Sequence, residues 1–224
     1  MSTAAPEPAT RRVLASREPE ATAALRCQCY AAFSELTASP HDVDAPAAVR
    51  ARLAGSGRAL PAALLALLEE FLATDIEALK GEYSGLFEVG SQGPPAAIRE
   101  DLLAGGRAGT REDLVRFYDF FGYRLDERFA WAPDHLSVEL EFMHFLCYHE
   151  AADAAGRLSW QFGQADFAAR HLANWVPQLA AAVAGLASGS YYGRVLDMLR
   201  DFVTADLAWQ DSTISEPAGA TVDG

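Results

Sequence analysis

The sequence predicts an all-α fold, a single-domain multi-helix bundle, and three observations carry that expectation. Apolar residues recur at three- and four-residue intervals in one segment after another. No run of alternating β-branched residues separates those segments. Half of the 224 residues are apolar, enough to bury a sizeable core.

The elements follow in order. Residues 1–20 are rich in Ala, Pro, Glu and Arg without periodicity and read as a disordered arm, as does the tail 211–224, "DSTISEPAGATVDG", leaving 21–210 as the helical domain. Leu25, Cys29, Phe33 and Leu36 mark a first helix that ends before Pro40. Pro61 suits the first turn of the next, whose stripe Leu64, Leu68, Phe71, Leu72, Ile76, Leu79, Tyr83 and Leu86 predicts one helix of about seven turns. The loop "VGSQGPP", 89–95, breaks it, and "LAGGRAGT", 103–110, is a second loop. Thr110 and Asp113 have capping-box spacing, with Asp for the usual Glu; Leu114, Phe117, Tyr118 and Phe121 line the helix that follows, and Gly122 ends it. "WAPDHLSVELEFMHFLCYHE", 131–150, enters about four helical turns after Pro133. The stretch 165–187 predicts a helix kinked or broken at Pro177, and 191–209 the last helix.

A net charge of −13 and a pI near 4.7 argue against nucleic acid or an anionic membrane as partner, since both need clustered Lys and Arg. The same acidity suits a basic partner, or serves solubility alone. No apolar run approaches the ~18 residues of a membrane span, so no membrane insertion is expected. Arg11-Arg12 invites a twin-arginine export reading, but Arg17, Glu18, Pro19 and Glu20 stand where an uncharged apolar stretch is required, which predicts a cytoplasmic protein. Cys27, Cys29 and Cys147 form no CxxC and read as core residues in a reducing compartment.

The catalytic signals are few. "GGRAGT" lacks the Lys and the strand of a phosphate loop, no GxSxG is present, and no Cys is marked as a nucleophile. Glu141-x-x-His144 is half of a helical di-iron motif, with His135, Glu139 and His149 as further ligand candidates; it equally fits a polar face opposite Leu140, Met143 and Cys147. Because it occurs once, neither metal nor cofactor is expected, and the chain reads as a non-enzyme. Asp134-His135 at the mouth of the helix is the other constellation. Asp134 as an N-cap is one reading; it leaves His135 unexplained, because a helix N-terminus slightly disfavours a cation. A site built on the pair is the other.

The segment "WAPDHLSVELEFMHFL" resembles the signature of the TorD/DmsD/NarJ-type chaperones that mature molybdenum redox enzymes: Pro-Asp-His-Leu, then a Glu-Leu-x-Phe-Met-x-x-Leu helix. "EYSGLFEVGSQGPP" is a second match, with "HLANWVPQL" and "YYGRVLDML" as weaker ones, so the resemblance spans about residues 22–208. It implies a helical, non-enzymatic chaperone that binds the twin-arginine signal peptide or N-terminus of a molybdoenzyme catalytic subunit of the DMSO-reductase type. Such a chaperone holds its client in the cytoplasm until the cofactor is inserted and the enzyme assembled for export.

By position the peptide-binding residues become Tyr83, Leu86, Phe87, Pro94, Pro95, Asp134 and His135. Many members carry an acid just before the Asp-His pair; Trp131, Ala132 and Pro133 stand here, so contacts at that place are expected to be more apolar, with Trp131 among them. Tyr83, Leu86 and Phe87 also continue the core stripe; standing at its end against a Gly/Pro loop, some of them are expected to be partly exposed. The resemblance implies a monomer or a helix-exchanged dimer. The rival readings are a helical di-iron carboxylate protein built on Glu141 and His144, and a general helical adaptor without leader specificity.

Overall fold

The computed structural model describes residues 22–55, 60–88, 90–91, 93–103, 109–127, 129 and 132–213. The predicted arm 1–20 lies outside them, as does the tail from 214 on; residues 211–213 continue the last helix. Among the described residues there are ten α-helices and no strand: α1 Ala23–Thr37, α2 Ala45–Gly55, α3 Ala62–Ala73, α4 Ile76–Phe87, α5 Glu100–Leu103, α6 Thr110–Phe121, α7 Leu136–Ala152, α8 Arg157–Arg170, α9 Leu172–Leu186 and α10 Tyr191–Thr213. The all-α bundle expected from the sequence is what forms.

The centre is α7. Leu136, Val138, Leu140, Phe142, Met143, Leu146 and Cys147 are all buried, so this helix is covered nearly all round. Helix α1 packs along it, with the Ser34 hydroxyl donating to the Ser137 carbonyl and Cys27 beside His144; α8 covers another side through Phe167, whose ring meets Phe142, and α9 pairs with α10.

One buried face is polar. Arg26 of α1 forks onto Asp206 of α10, with Nη2–Oδ2 at 2.9 Å, and its Nη1 reaches Gln164 of α8 at 2.7 Å. Glu150 of α7 accepts from Gln161 at 2.9 Å and Gln164 at 2.8 Å, and Tyr30 donates to Asp206 at 2.7 Å. Charges taken out of water need such partners, and these hydrogen bonds fix four helices in one register. Here Leu25, expected inside, is exposed and Arg26 faces the core instead.

Other boundaries also differ. The expected seven-turn helix is two, α3 and α4, because Asp75 leaves the helical path and its side chain caps α4 through the Ala78 N–H. Helix α2 escaped the apolar pattern, having only Ala45 and Val49 buried. Thr110 is the first residue of α6, not its cap; that position belongs to Gly109 at φ 96°. The break expected at Pro177 falls at His171, between α8 and α9, while Pro177 sits inside an unbroken α9. A Pro there removes only one N–H near the helix start. Gly122, at φ 71°, ends α6 as the sequence predicts.

Candidate functional site

The two blocks singled out in the sequence meet through backbone hydrogen bonds. At the end of α4 the Leu86 carbonyl accepts from Ala96 at 2.9 Å, folding the proline loop back over Tyr83 and Phe87. Residues 98–100 then run antiparallel to 134–136: the Glu100 N–H donates to the Asp134 carbonyl at 2.9 Å and the Leu136 N–H to the Ile98 carbonyl at 3.1 Å. The Tyr118 hydroxyl, donating to the Pro133 carbonyl at 2.8 Å, fixes the turn from α6.

Within that frame Asp134 and His135 part company. Asp134 is fully buried and is not the cap of α7. It accepts from Arg99 Nη2 at 2.8 Å and Nε at 3.2 Å, with Arg111 Nε at 3.6 Å. His135 is the N-cap of α7: its Nδ1 accepts from the Ser137 N–H at 3.2 Å. That leaves Nε2 to carry the proton and donate to the Tyr83 hydroxyl, 3.1 Å away. Burial drives the His135 pKa down to about 4, and Arg99 adds to this against the pull of Asp134. The neutral ring is thus the one the cap requires, which answers why an imidazole stands at a helix N-terminus: it acts as an acceptor, not a cation.

Beneath the pair lies Glu139, fully buried, accepting from Trp175 Nε1 at 3.0 Å. Burial first, with Glu100 and Asp134 nearby, pushes its carboxyl well above the usual range. His171 Nδ1 and Glu100 Oε2, 2.8 Å apart, continue this polar layer.

A small pocket of about 90 Å3 opens beside His135. Tyr83, Phe87, Ile98, Phe129 and Ala132 supply apolar wall, Pro94 and Leu102 its rim, and Asp42, Glu88 and Arg99 its charges. Four of the sequence-predicted residues therefore come together: Tyr83, Phe87, Pro94 and His135. Leu86 and Pro95 do not line the pocket, Asp134 acts from behind it through Arg99, and Trp131 lies outside the described residues. The partial exposure expected for the aromatic end of α4 is absent, for Tyr83, Leu86 and Phe87 are all buried. Burial pushes the Tyr83 phenol well up.

Sequence reasoning missed the acids at the mouth. Asp42 and Glu88 are both exposed there. Glu88 accepts from the Ser84 hydroxyl at 2.8 Å and stands 3.8 Å from His41 Nε2. Glu88 follows directly on Phe87, so its place after the aromatic motif was readable; nothing in the sequence marks Asp42.

The half-motif on α7 is spread apart. His144 Nδ1 lies 2.9 Å from the Cys27 carbonyl and 3.1 Å from the Cys27 sulfur, while Glu141 is exposed and bonds to Tyr123. Among the described residues no three His, Cys, Asp or Glu side chains gather as metal ligands. Cys27, Cys29 and Cys147 are buried and free, and burial raises each thiol pKa. Among the described residues no helix is long and apolar enough to cross a membrane.

The bundle is a class of helical fold already seen in a solved structure. A protein from Archaeoglobus fulgidus described as a redox enzyme maturation protein superposes with a TM-score of 0.54 at 22% identity, over 80% of this chain and 93% of that one. Residues 53–181 match the family model of the nitrate reductase delta subunit, and the chain belongs to that family. It is 42% identical over 106 residues to the chlorate reductase assembly chaperone protein of Ideonella dechloratans, covering 45% of this chain and 55% of that protein. It is also 42% identical over 110 residues to the selenate reductase assembly chaperone protein of Thauera selenatis, covering 46% and 55%. The chain thus spans about half the length of the curated relatives it matches. The family resemblance drawn from the Asp-His block is borne out.

Proposed function

We propose that this protein is a cytoplasmic, system-specific chaperone, without catalytic activity of its own. Its client is the catalytic subunit of a DMSO-reductase-type molybdoenzyme, which it binds by the N-terminal, twin-arginine signal region until cofactor insertion and assembly precede export. The observation that carries the reading is the pocket that joins Tyr83, Phe87, Pro94 and His135 under an acidic mouth. A leader offers guanidinium groups beside apolar side chains. Asp42 and Glu88 suit the former, and the aromatic wall suits the latter. At about 90 Å3 the pocket admits one side-chain tip, so the rest of the leader lies on the surface around it.

In this reading Asp134 is a positioning residue. It holds Arg99, and with it the 98–100 segment, against the turn that carries His135. Support also comes from relatives named as reductase assembly chaperones. The deciding experiment is calorimetric titration of a synthetic twin-arginine leader, its Lys-Lys version and the Glu88→Gln variant. Tight binding of the first, with weakening by about tenfold in each of the others, is expected, since a charged hydrogen bond is worth about 1.5–3 kcal/mol. Equal affinity for both peptides overturns leader specificity in favour of a general adaptor.

A further inference from the structure

Arg11 and Arg12 are the only two consecutive basic residues in a chain of net charge −13. The stretch around them, "TRRVLASR" at 10–17, holds three arginines and no acid. Paired arginines followed by Val13 and Leu14 reproduce the start of a twin-arginine leader. Arg17, Glu18, Pro19 and Glu20 then stand where export needs an uncharged apolar run. The stretch thus carries the recognised half of a leader without the half that exports it.

The mouth of the pocket beside His135 complements it. Asp42 is exposed there, and its carboxylate makes no ion pair among the described residues. Glu88 meets only the hydroxyls of Ser39 and Ser84 and, at 3.8 Å, His41 Nε2. The guanidinium that lines the pocket, that of Arg99, is already held by the buried Asp134 at 2.8 Å. Two carboxylates therefore face solvent with no fixed Lys or Arg between them, which suits a pair of guanidinium groups.

The mouth is also within reach. Helix α1, 15 residues long, covers about 22 Å, and Ser39 and Asp42 at the mouth follow closely on its last residue, Thr37. Ten residues, 13–22, join Arg12 to the start of α1, and extended they span up to about 33–36 Å. A path between the two points runs beside α1, where a second pocket of about 290 Å3 is lined by Ala31, Ser34 and Ala38 together with Val43. Phe129 belongs to both pockets, so the apolar surface is continuous from one to the other. The arginine of this second pocket, Arg52, is taken by Glu35 at 2.6 Å.

Resting on the chaperone reading above, we infer that the Arg11-Arg12 segment of this same chain occupies the pocket mouth as a built-in leader mimic, which the client displaces. The arginine pair lies over Asp42 and Glu88, and Val13 and Leu14 lie along the apolar surface that Phe129 continues. A short tether presents the segment at an effective concentration on the order of millimolar, far above that of any second copy. A contact that binds at only about 0.1 mM in trans then fills the mouth about ten to one. Lacking the apolar run, the mimic gives way to a true leader, so the site is masked against weak basic peptides and open to the client.

The test is calorimetric titration of a synthetic twin-arginine leader into the full chain and into its Arg11→Lys/Arg12→Lys variant, which keeps the net charge and changes only residues ahead of α1. The variant is expected to bind the leader about tenfold more tightly. Adding Glu88→Gln, which loosens mimic and leader alike, should shrink that gain to about twofold. Equal affinity of parent and variant, with the leader still preferred over its Lys-Lys version, overturns the mimic and leaves the chaperone reading standing. Equal affinity for both leaders in both proteins overturns leader specificity instead. A synthetic peptide of residues 8–17 then judges the mimic by itself: binding to the variant that Glu88→Gln weakens supports it, and no binding overturns it. Sedimentation showing a dimer of the parent that the Lys-Lys variant dissolves places the segment on a second copy and overturns the proposal.

Discussion

Replacing Asp134 by Ser separates a positioning carboxylate from a helix cap. Serine caps helices about as well as aspartate, so if Asp134 capped α7 the variant would be neutral. Here the cap is His135, and Asp134 holds Arg99 by bonds of 2.8 and 3.2 Å with Arg111 at 3.6 Å. Breaking one side of a buried ion pair costs about 3–5 kcal/mol when the other charge stays buried. The Arg99 side chain is 20% exposed and that of Arg111 42%, so both guanidinium groups regain part of their water. The expected loss is therefore about 2–3 kcal/mol, which for a chain of this size lowers Tm by roughly 4–12 °C. Thermal unfolding followed by circular dichroism measures it. The double variant Asp134→Ser/Arg99→Met should lose less than the two single changes together, by about 1 kcal/mol or more. A Tm within a degree of the parent, or strict additivity in the double variant, refutes the reasoning.

Three further outcomes are expected. His135 has a folded pKa of about 4 against about 6.5 unfolded, so its contribution is full above pH 6.5 and is lost as pH falls through 4. His135→Asn, which still caps α7, should flatten the fall in Tm across that window, where the His contributes about 3 kcal/mol. Arg26→Met should cost about 3–5 kcal/mol in denaturant unfolding, because it strands Asp206 and Glu150 in the core; a loss below 1 kcal/mol would mean that water reaches them. Leader affinity should fall as salt rises, since exposed charge pairs are screened over about 8 Å at physiological ionic strength, yet a residue of apolar binding should persist at high salt. Affinity independent of salt would remove charge pairing from the mechanism.

Much of the site was legible as residues and little of it as geometry. The Pro133-Asp134-His135 turn and the Tyr83/Phe87 end of α4 stand out in the sequence because each sits where a helix begins or ends against Pro or Gly. Which of them line the pocket depended on the 98–100/134–136 pairing, and a two-residue bridge leaves no periodic trace. Asp42 and Glu88 reach the mouth only because α4 ends against the loop that follows α1.

The sequence alone determined the all-α class, the positions of α1, α6, α7 and α10, and the family, since those rest on apolar spacing, on glycine and proline stops, and on a local motif. Tertiary structure decided that the helix after Pro61 divides at Asp75, that the chain turns at His171 rather than at Pro177, and that Arg26 points inward while Leu25 points out. It also decided the partners of the Asp-His pair. The physical reason is the same in each case. Helical periodicity reports which face is apolar, but a buried charge is chosen by partners far away in the chain. Arg26 finds Asp206 and Asp134 finds Arg99, and no pattern within one helix announces either.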